Sequence, residues 1–267
     1  MKNDRRVALI TGASAGIGEA FAHVFAAHDF DLVVTARRED RLRALASVLE
    51  EQHRIRVHVM PADLSQPDAP ARLVDRLAAA QVTVDALVNN AGYGVPGGFT
   101  SVEWTRHADF LQVLLVAVTE LTYRLLPGMV ERRYGRVINV ASLAGLLPAP
   151  AGHTLYAATK SYLVRFSEAL SSEFGHRGVH VTAVCPGFTF SEFHDVTGTR
   201  EMMRGLPSWM WMDAATVAEQ GYDALMAGRP VYVTGRVNSA IALLARYLPH
   251  RVVYALNRRV ARSYRKA

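Results

Sequence analysis

Hydrophobic positions along the chain fall into two alternating rhythms. Short β-branched runs recur at Val7 to Thr11, Asp31 to Ala36, Ile55 to Met60, Val84 to Asn89, Tyr134 to Ala141, Val179 to Cys185 and Val231 to Thr234. Each has the length of a buried strand and ends at turn or polar residues. Between them, Ile17 to His28, Glu39 to Glu51, Pro67 to Ala80, Val102 to Leu126 and Leu155 to Phe174 carry apolar residues at helical spacing. This alternation predicts an α/β fold, a doubly wound parallel seven-stranded sheet covered by helices on both faces. No internal repeat and no long Ser/Pro/Gly linker divides the sequence, so a single domain is expected.

Composition narrows the picture in three places. With 267 residues, 50% hydrophobic and 20% charged, the chain can bury a sizeable core, which excludes disordered and low-complexity classes. Its one cysteine, Cys185, excludes an intramolecular disulfide and any multi-cysteine metal site, and the scattered histidines offer no zinc spacing. The N-terminus runs from charged residues straight into the first strand run, without a secretory core, and no stretch reads as a membrane span. A cytoplasmic protein is expected. The formal charge of +6 is concentrated at the end, where Arg246, Arg251, Arg258, Arg259, Arg262, Arg265 and Lys266 stand without an acid. Without these seven the remaining charges nearly cancel.

Candidate chemistry begins after the first strand, at Thr11-Gly12-Ala13-Ser14-Ala15-Gly16-Ile17-Gly18. Glycines at 12, 16 and 18 suit a tight turn in which the backbone approaches a pyrophosphate and a helix N-terminus offers its free N–H groups. Gly12 to Gly16 also fits the G-x-S-x-G elbow of serine hydrolases, with Ser14 as nucleophile, but only eleven residues precede it to build an oxyanion hole and Gly18 is left unexplained. After the second strand stand Arg37 and Arg38, where a dinucleotide fold reads the adenosine ribose. Two guanidiniums there favour a 2′-phosphate, hence NADP(H). Tyr156 and Lys160 are four apart, on one helix face, so an ammonium can sit near the phenol, stabilise phenolate and lower its pKa.

These motifs in this order, with Asn89-Asn90-Ala91-Gly92, Ser142 fourteen residues before the tyrosine, and Pro186-Gly187 after a strand, resemble the short-chain dehydrogenase/reductase family across roughly residues 5 to 235. The resemblance implies a Rossmann-type oxidoreductase interconverting a ketone or aldehyde with an alcohol, as a homodimer or homotetramer. It implies catalytic roles for Ser142, which orients the carbonyl, Tyr156, which donates or accepts the proton, and Lys160, which binds ribose and lowers the Tyr156 pKa. For the cofactor it implies Gly12, Ser14, Gly16, Ile17 and Gly18 at the phosphates, Asp63 and Leu64 at the adenine, and Asn90, Ala91 and Gly92 beside the ribose. Pro186, Gly187, Thr189 and Ser191 match the segment at the nicotinamide. At the position of the family's helical asparagine, thought to hold a proton-relay water, this chain has Leu114. A non-catalytic NADP(H)-binding protein is therefore the alternative.

The expected organisation is a catalytic domain over 1–235, with a substrate lid at about 190–213, and an extension of the same domain over 236–267. The lid is rich in Met and Trp, and Met202, Met203, Trp209 and Trp211, with His153 near Tyr156, are candidates for a pocket that takes a bulky apolar substrate such as a steroid or an acyl chain. Core or subunit packing explains the same residues equally well. From Arg251 on, Val252, Val253, Leu256, Val260 and Tyr264 share a helical arc free of basic residues. That basic amphipathic helix either packs on its own domain or a partner subunit, or lies on an anionic membrane surface. No stacking pattern or motif for nucleic acid accompanies the arginines.

Overall fold

The computed structural model describes residues 5–149, 154–190 and 207–248. Its strands are β1 (Val7–Thr11), β2 (Asp31–Thr35), β3 (Val57–Val59), β4 (Ala86–Asn89), β5 (Gly135–Val140), β6 (Val179–Cys185), β7 (Phe188–Phe190), β8 (Trp211–Asp213) and β9 (Val231–Val233). The helices are α1 (Gly16–Ala27), α2 (Glu39–His53), α3 (Ala69–Ala79), α4 (Trp104–Leu111), α5 (Ala117–Glu131), α6 (Thr154–Phe174), α7 (Ala214–Met226) and α8 (Arg236–Tyr247). Seven strands form one sheet in the order β3-β2-β1-β4-β5-β6-β9, and every pairing is parallel. The order reverses between β1 and β4, which opens a crevice at their C-terminal ends.

Side-chain alternation sends successive residues of each strand to opposite faces. On one face Ala8, Ile10, Val34, Val88 and Ile138 pack against Phe21 and Phe25 of α1, Leu42 and Leu49 of α2, and Val217 and Leu225 of α7. On the other, Leu9, Val33, Leu87 and Val137 meet Leu73 and Leu77 of α3 and Leu121, Leu126 and Met129 of α5. A buried polar ladder pins the strands that carry the site. Asn89 Nδ2 donates to Asn139 Oδ1 at 2.9 Å and Thr122 Oγ1 at 3.2 Å, and Asn139 Nδ2 donates to Ser167 Oγ at 2.9 Å. β4 and β5 are thereby locked to α5 and α6, because each buried amide would be costly to leave unpaired.

The structure corrects the sequence reading in three places. The single helix expected over Val102 to Leu126 is α4, a π-helical turn over Gln112–Val116 and α5 in one rod. It runs past Pro127 to Glu131, since burial of Met129 and Val130 offsets the ~3 kcal/mol cost of an internal proline. The rod Trp104–Glu131 is long and apolar enough to cross a membrane by length and composition, with half of its most apolar window buried inside the domain. Scanning for charge-free stretches missed it because isolated charges interrupt the run. Finally, β7 and β8 pair in a separate two-stranded parallel sheet, a contact across more than twenty residues that local periodicity does not reveal. The lid residues Met202, Met203 and Ser191, His153 and the tail from 249 onward lie outside the described residues.

Candidate active site

The turn after β1 is built for close approach. Gly12 and Gly16 take φ of 67° and 61°, the left-handed region open to glycine. A Cβ on Gly18 would stand 2.3 Å from the Gly12 carbonyl oxygen and 2.4 Å from Asn90 Nδ2. The first turn of α1 therefore lies against the loop and the end of β4 at a distance that only glycine allows. Thr11 fastens the two strand ends: its hydroxyl donates to Val88 O at 3.1 Å and accepts from the Asn90 and Ala91 N–H groups at 2.9 and 3.0 Å. Asn90 Nδ2 returns donations to Thr11 O and Gly12 O at 3.0 and 3.2 Å.

Ser14 and Arg38 meet over this turn, with Arg38 Nη2 donating to Ser14 Oγ at 3.1 Å. A guanidinium donor is not the base a nucleophilic serine needs, so the hydrolase elbow is set aside. Arg37 and Asp63 both act electrostatically on the Tyr93 hydroxyl, whose pKa is pushed up by burial and then by Asp109. Arg37, Arg38 and Asp63 thus share one end of the crevice, and Leu64 is buried beside Tyr93 and Ala91.

At the other end, β5 delivers Ser142 into a short turn, Leu143–Gly145. Ser142 Oγ accepts from Ala144 N at 3.2 Å, and the Pro186 carbonyl accepts Leu143 N–H at 2.9 Å, tying this turn to the end of β6. Gly145 lets the turn rest on α6, because a Cβ there would lie 2.7 Å from the Lys160 carbonyl. Tyr156 and Lys160 rise from the first turns of α6. Ser142 hydrogen-bonds the Tyr156 side chain, and Lys160 Nζ lies 5.6 Å from the Tyr156 ring centroid. The ammonium donates to Val140 O at 2.6 Å. Thr189 is buried on β7, its hydroxyl donating to Gly187 O at 3.3 Å.

A phosphate-type turn, a serine–tyrosine–lysine cluster and a crevice at the strand reversal make one working surface. Residues 6–201 match the family model described as short chain dehydrogenase. The chain belongs to the short-chain dehydrogenase/reductase family. It is an oxidoreductase of that family, similar to nodulation protein G of Rhizobium sp. (strain N33), with 35% identity over 245 residues that cover 90% of this chain and 98% of the relative. Among solved structures, a short-chain dehydrogenase from Sphingobium yanoikuyae in complex with NADPH superposes with TM-score 0.80 at 28% identity, covering 91% of this chain and 96% of that one. The bulky-bulky ketone specific alcohol dehydrogenase from Comamonas testosteroni superposes with TM-score 0.75 at 27% identity, covering 92% and 96%.

In this short-chain dehydrogenase/reductase, burial governs the pKa values of both Tyr156 and Lys160. Burial pushes the Tyr156 pKa up, opposed by the Ser142 hydrogen bond. The ammonium points its donor at Val140 O, and burial takes Lys160 itself down to about 8. Spacing on a helix predicts proximity but not the desolvation that decides the sign. A lysine depressed from 10.5 to about 8 binds fewer protons when folded than unfolded between those values. Its burial cost is therefore full below about pH 8 and is relieved as pH rises toward 10.5. Denaturant titrations are expected to show wild type gaining on the order of 2 kcal/mol relative to Lys160→Met across that window. A difference independent of pH contradicts the buried amine.

A pocket lies next to Tyr156. It is lined by Val95, Gly97, Phe99, His107, Phe110, Thr154, Leu155 and Tyr156, from the segment after Gly92, the first turns of α4, and α6. Trp209 is exposed, and the Trp211 ring stacks on Phe190 at 4.8 Å, packing β8 on β7. Neither tryptophan lines this pocket. Residues flanking Tyr156 and the apolar face of α4 were the available signal. Leu114 is 1% exposed, and its Cγ lies 3.4 Å from where a Gly92 Cβ would stand. It packs with Phe110, Ala117 and Tyr156, so this helix position offers the site hydrocarbon and no side-chain amide.

Proposed function

We propose that the enzyme interconverts a carbonyl compound and its alcohol with NADP(H), acting on a bulky, largely apolar substrate. The observation that carries this reading is the convergence of Ser142, Tyr156 and Lys160 beside an aromatic pocket at the same crevice as the glycine turn. The residues fit the cofactor: Gly12 and Gly18 let the turn after β1 close against Asn90 and Ala91 where a Cβ would collide, and Arg38 stands over that turn beside Ser14. Gly12, Ser14, Gly16, Ile17 and Gly18 would hold the pyrophosphate at the N-terminus of α1. Arg37 and Arg38 would meet a 2′-phosphate, Asp63 and Leu64 the adenine, and Asn90 to Gly92 the ribose. Pro186, Gly187 and Thr189 would border the nicotinamide. When bound, the cofactor supplies or accepts the hydride.

The protein's own groups supply the rest. Ser142 orients the carbonyl oxygen, and Tyr156, held as neutral phenol by burial, donates a proton to that oxygen in reduction. Lys160 holds a positive charge beneath the site below about pH 8, which favours the phenolate left after donation. The alternative of a cofactor-binding relic is not favoured, because all three groups are present and the Ser142–Tyr156 hydrogen bond is made.

Arg38→Ala is expected to weaken NADPH about 10- to 100-fold with little effect on NADH, the scale of a charge-assisted phosphate contact. Equal loss for both nucleotides, by fluorescence titration, would remove the 2′-phosphate role. NADPH oxidation against a graded carbonyl panel tests the substrate class; turnover of small polar carbonyls alone would refute the apolar pocket.

We further propose a cytoplasmic homodimer or homotetramer with peripheral contact at an anionic membrane through the basic tail. In support, Leu243, Leu244 and Tyr247 are exposed at the end of α8, and the basic stretch follows directly in sequence. Salt-sensitive co-sedimentation with anionic vesicles, lost on truncation after Leu248, is the expected result. No sedimentation at low salt returns the tail to packing on its own domain or a partner subunit.

A further inference from the structure

Among the described residues, His107 is the buried ionisable side chain of the pocket wall that the mechanism above does not use. It is 6% exposed, is the fourth residue of α4, and lines the same pocket as Tyr156. Its ring stacks on Phe99, with centroids 5.1 Å apart and planes 26° from parallel. Nε2 lies 2.9 Å from the Phe99 carbonyl oxygen. A carbonyl only accepts, so in the neutral ring the single N–H must be on Nε2. Nδ1 is then a lone-pair acceptor, and it is buried with no hydrogen-bond partner among the described residues. An unpaired buried acceptor costs about 1–3 kcal/mol. The wall around it is formed by Val95, Phe99, Phe110 and Leu155, with the hydroxyl-bearing Thr154 and Tyr156 on α6.

An acceptor fixed by tautomer, held in place by a stacked ring and left unpaired in the wall of the pocket beside Tyr156 is an unmet demand for a donor. We propose that His107 is a specificity-determining residue whose Nδ1 accepts a hydrogen bond from a hydroxyl or amide N–H on the substrate, remote from the reacting carbonyl. The inference rests on the reductase reading above and refines its substrate class: a bulky apolar carbonyl compound that carries one hydrogen-bond donor. A substrate lacking that donor buries the same apolar surface but leaves Nδ1 unpaired. Discrimination of this kind exceeds what apolar contacts achieve, because the mismatch strands a polar group out of water.

The test uses the full-length enzyme with NADPH and butyrophenone, its 2′-, 3′- and 4′-hydroxy isomers, and the matching methoxy ethers, which keep the oxygen and lose the donor. Wild type is expected to favour at least one hydroxy isomer over its ether and the parent by about tenfold or more in kcat/KM. His107→Phe keeps the stacked ring and is expected to lose that preference by a drop on the hydroxy ketone alone. His107→Asn places an amide near the Nδ1 position and is expected to restore part of it. His107→Gln reaches only the Nε2 position and is not. Independently, the long-range imidazole 15N spectrum of the cofactor-free protein should show His107 as the Nε2–H tautomer.

A protonated ring or an Nδ1–H tautomer overturns the proposal. So do equal losses on hydroxy and parent ketones, or a panel in which ketones turn over without any preference for a donor. Failure of the underlying reading looks different: no carbonyl of any kind drives NADPH oxidation, and Tyr156→Phe behaves as wild type.

Discussion

Tyr156→Phe is expected to lower kcat for carbonyl reduction by about 10²- to 10⁴-fold, the usual contribution of a positioned general acid, while NADPH affinity stays within a few-fold. The substitution removes one oxygen and keeps the ring that packs with Leu114 and Leu155, so the fold and the pocket wall survive. Burial raises the Tyr156 pKa above its ordinary 10.0, which keeps the phenol protonated and able to donate. In the wild type, reduction therefore persists through neutral pH and falls as pH rises toward the tyrosine pKa, while the direction that needs phenolate gains. Steady-state kinetics in both directions, with nucleotide binding measured separately, separate chemistry from binding. A change in KM with kcat untouched would move Tyr156 from chemistry to substrate binding.

The second large effect is expected from Gly18→Ala. The added methyl would stand 2.3 Å from Gly12 O and 2.4 Å from Asn90 Nδ2, so α1 must move away from the loop or the loop from β4. Overpacking of this kind costs about 1–3 kcal/mol, and the cost falls on the surface that holds the pyrophosphate. NADPH affinity is expected to drop about 10- to 100-fold, with a lowered melting temperature. Gly175→Ala is the control, since nothing lies within 4 Å of a Cβ there. Calorimetric titration of both variants with NADPH checks the pair; equal affinities would mean that the turn does not hold the nucleotide.

What the sequence made legible follows from how local each signal is. All seven strands of the main sheet lie inside the β-branched runs, because the central strands, buried on both faces, are largely apolar and the edge strands β3 and β9 keep valines at alternate positions. The glycine turn and the Tyr156–Lys160 spacing were readable for the same reason, as each is set within a few residues. The β7–β8 pair, the pocket wall of Phe99, His107 and Phe110, and the sign of the Tyr156 shift were not. Each depends on what distant segments bring to a point: Trp211 onto Phe190, the loop after Gly92 over α4, and several elements closing over a phenol. Of the methionine-rich stretch, the described residues show Trp209 exposed and Trp211 stacked on Phe190 in the β7–β8 pair, a placement that local spacing does not give.

Leu114 shows how a motif departure can be read. A missing asparagine suggests a lost proton relay, yet the leucine is integrated into the cluster that walls Tyr156, packed with Phe110 and Ala117 and close to Gly92. The site exchanges a polar group for a drier wall, in keeping with a bulky apolar substrate and with a tyrosine kept neutral by burial.

The most direct test of the account is transfer of label. Enzyme incubated with NADPH deuterated at the nicotinamide C4, as each stereoisomer in turn, and a panel of bulky ketones should yield an alcohol carrying one deuterium on the carbinol carbon from one of the two isomers, and Tyr156→Phe should suppress it. Deuterium absent from every alcohol although NADPH binds, together with a Tyr156→Phe variant indistinguishable from wild type, would contradict it.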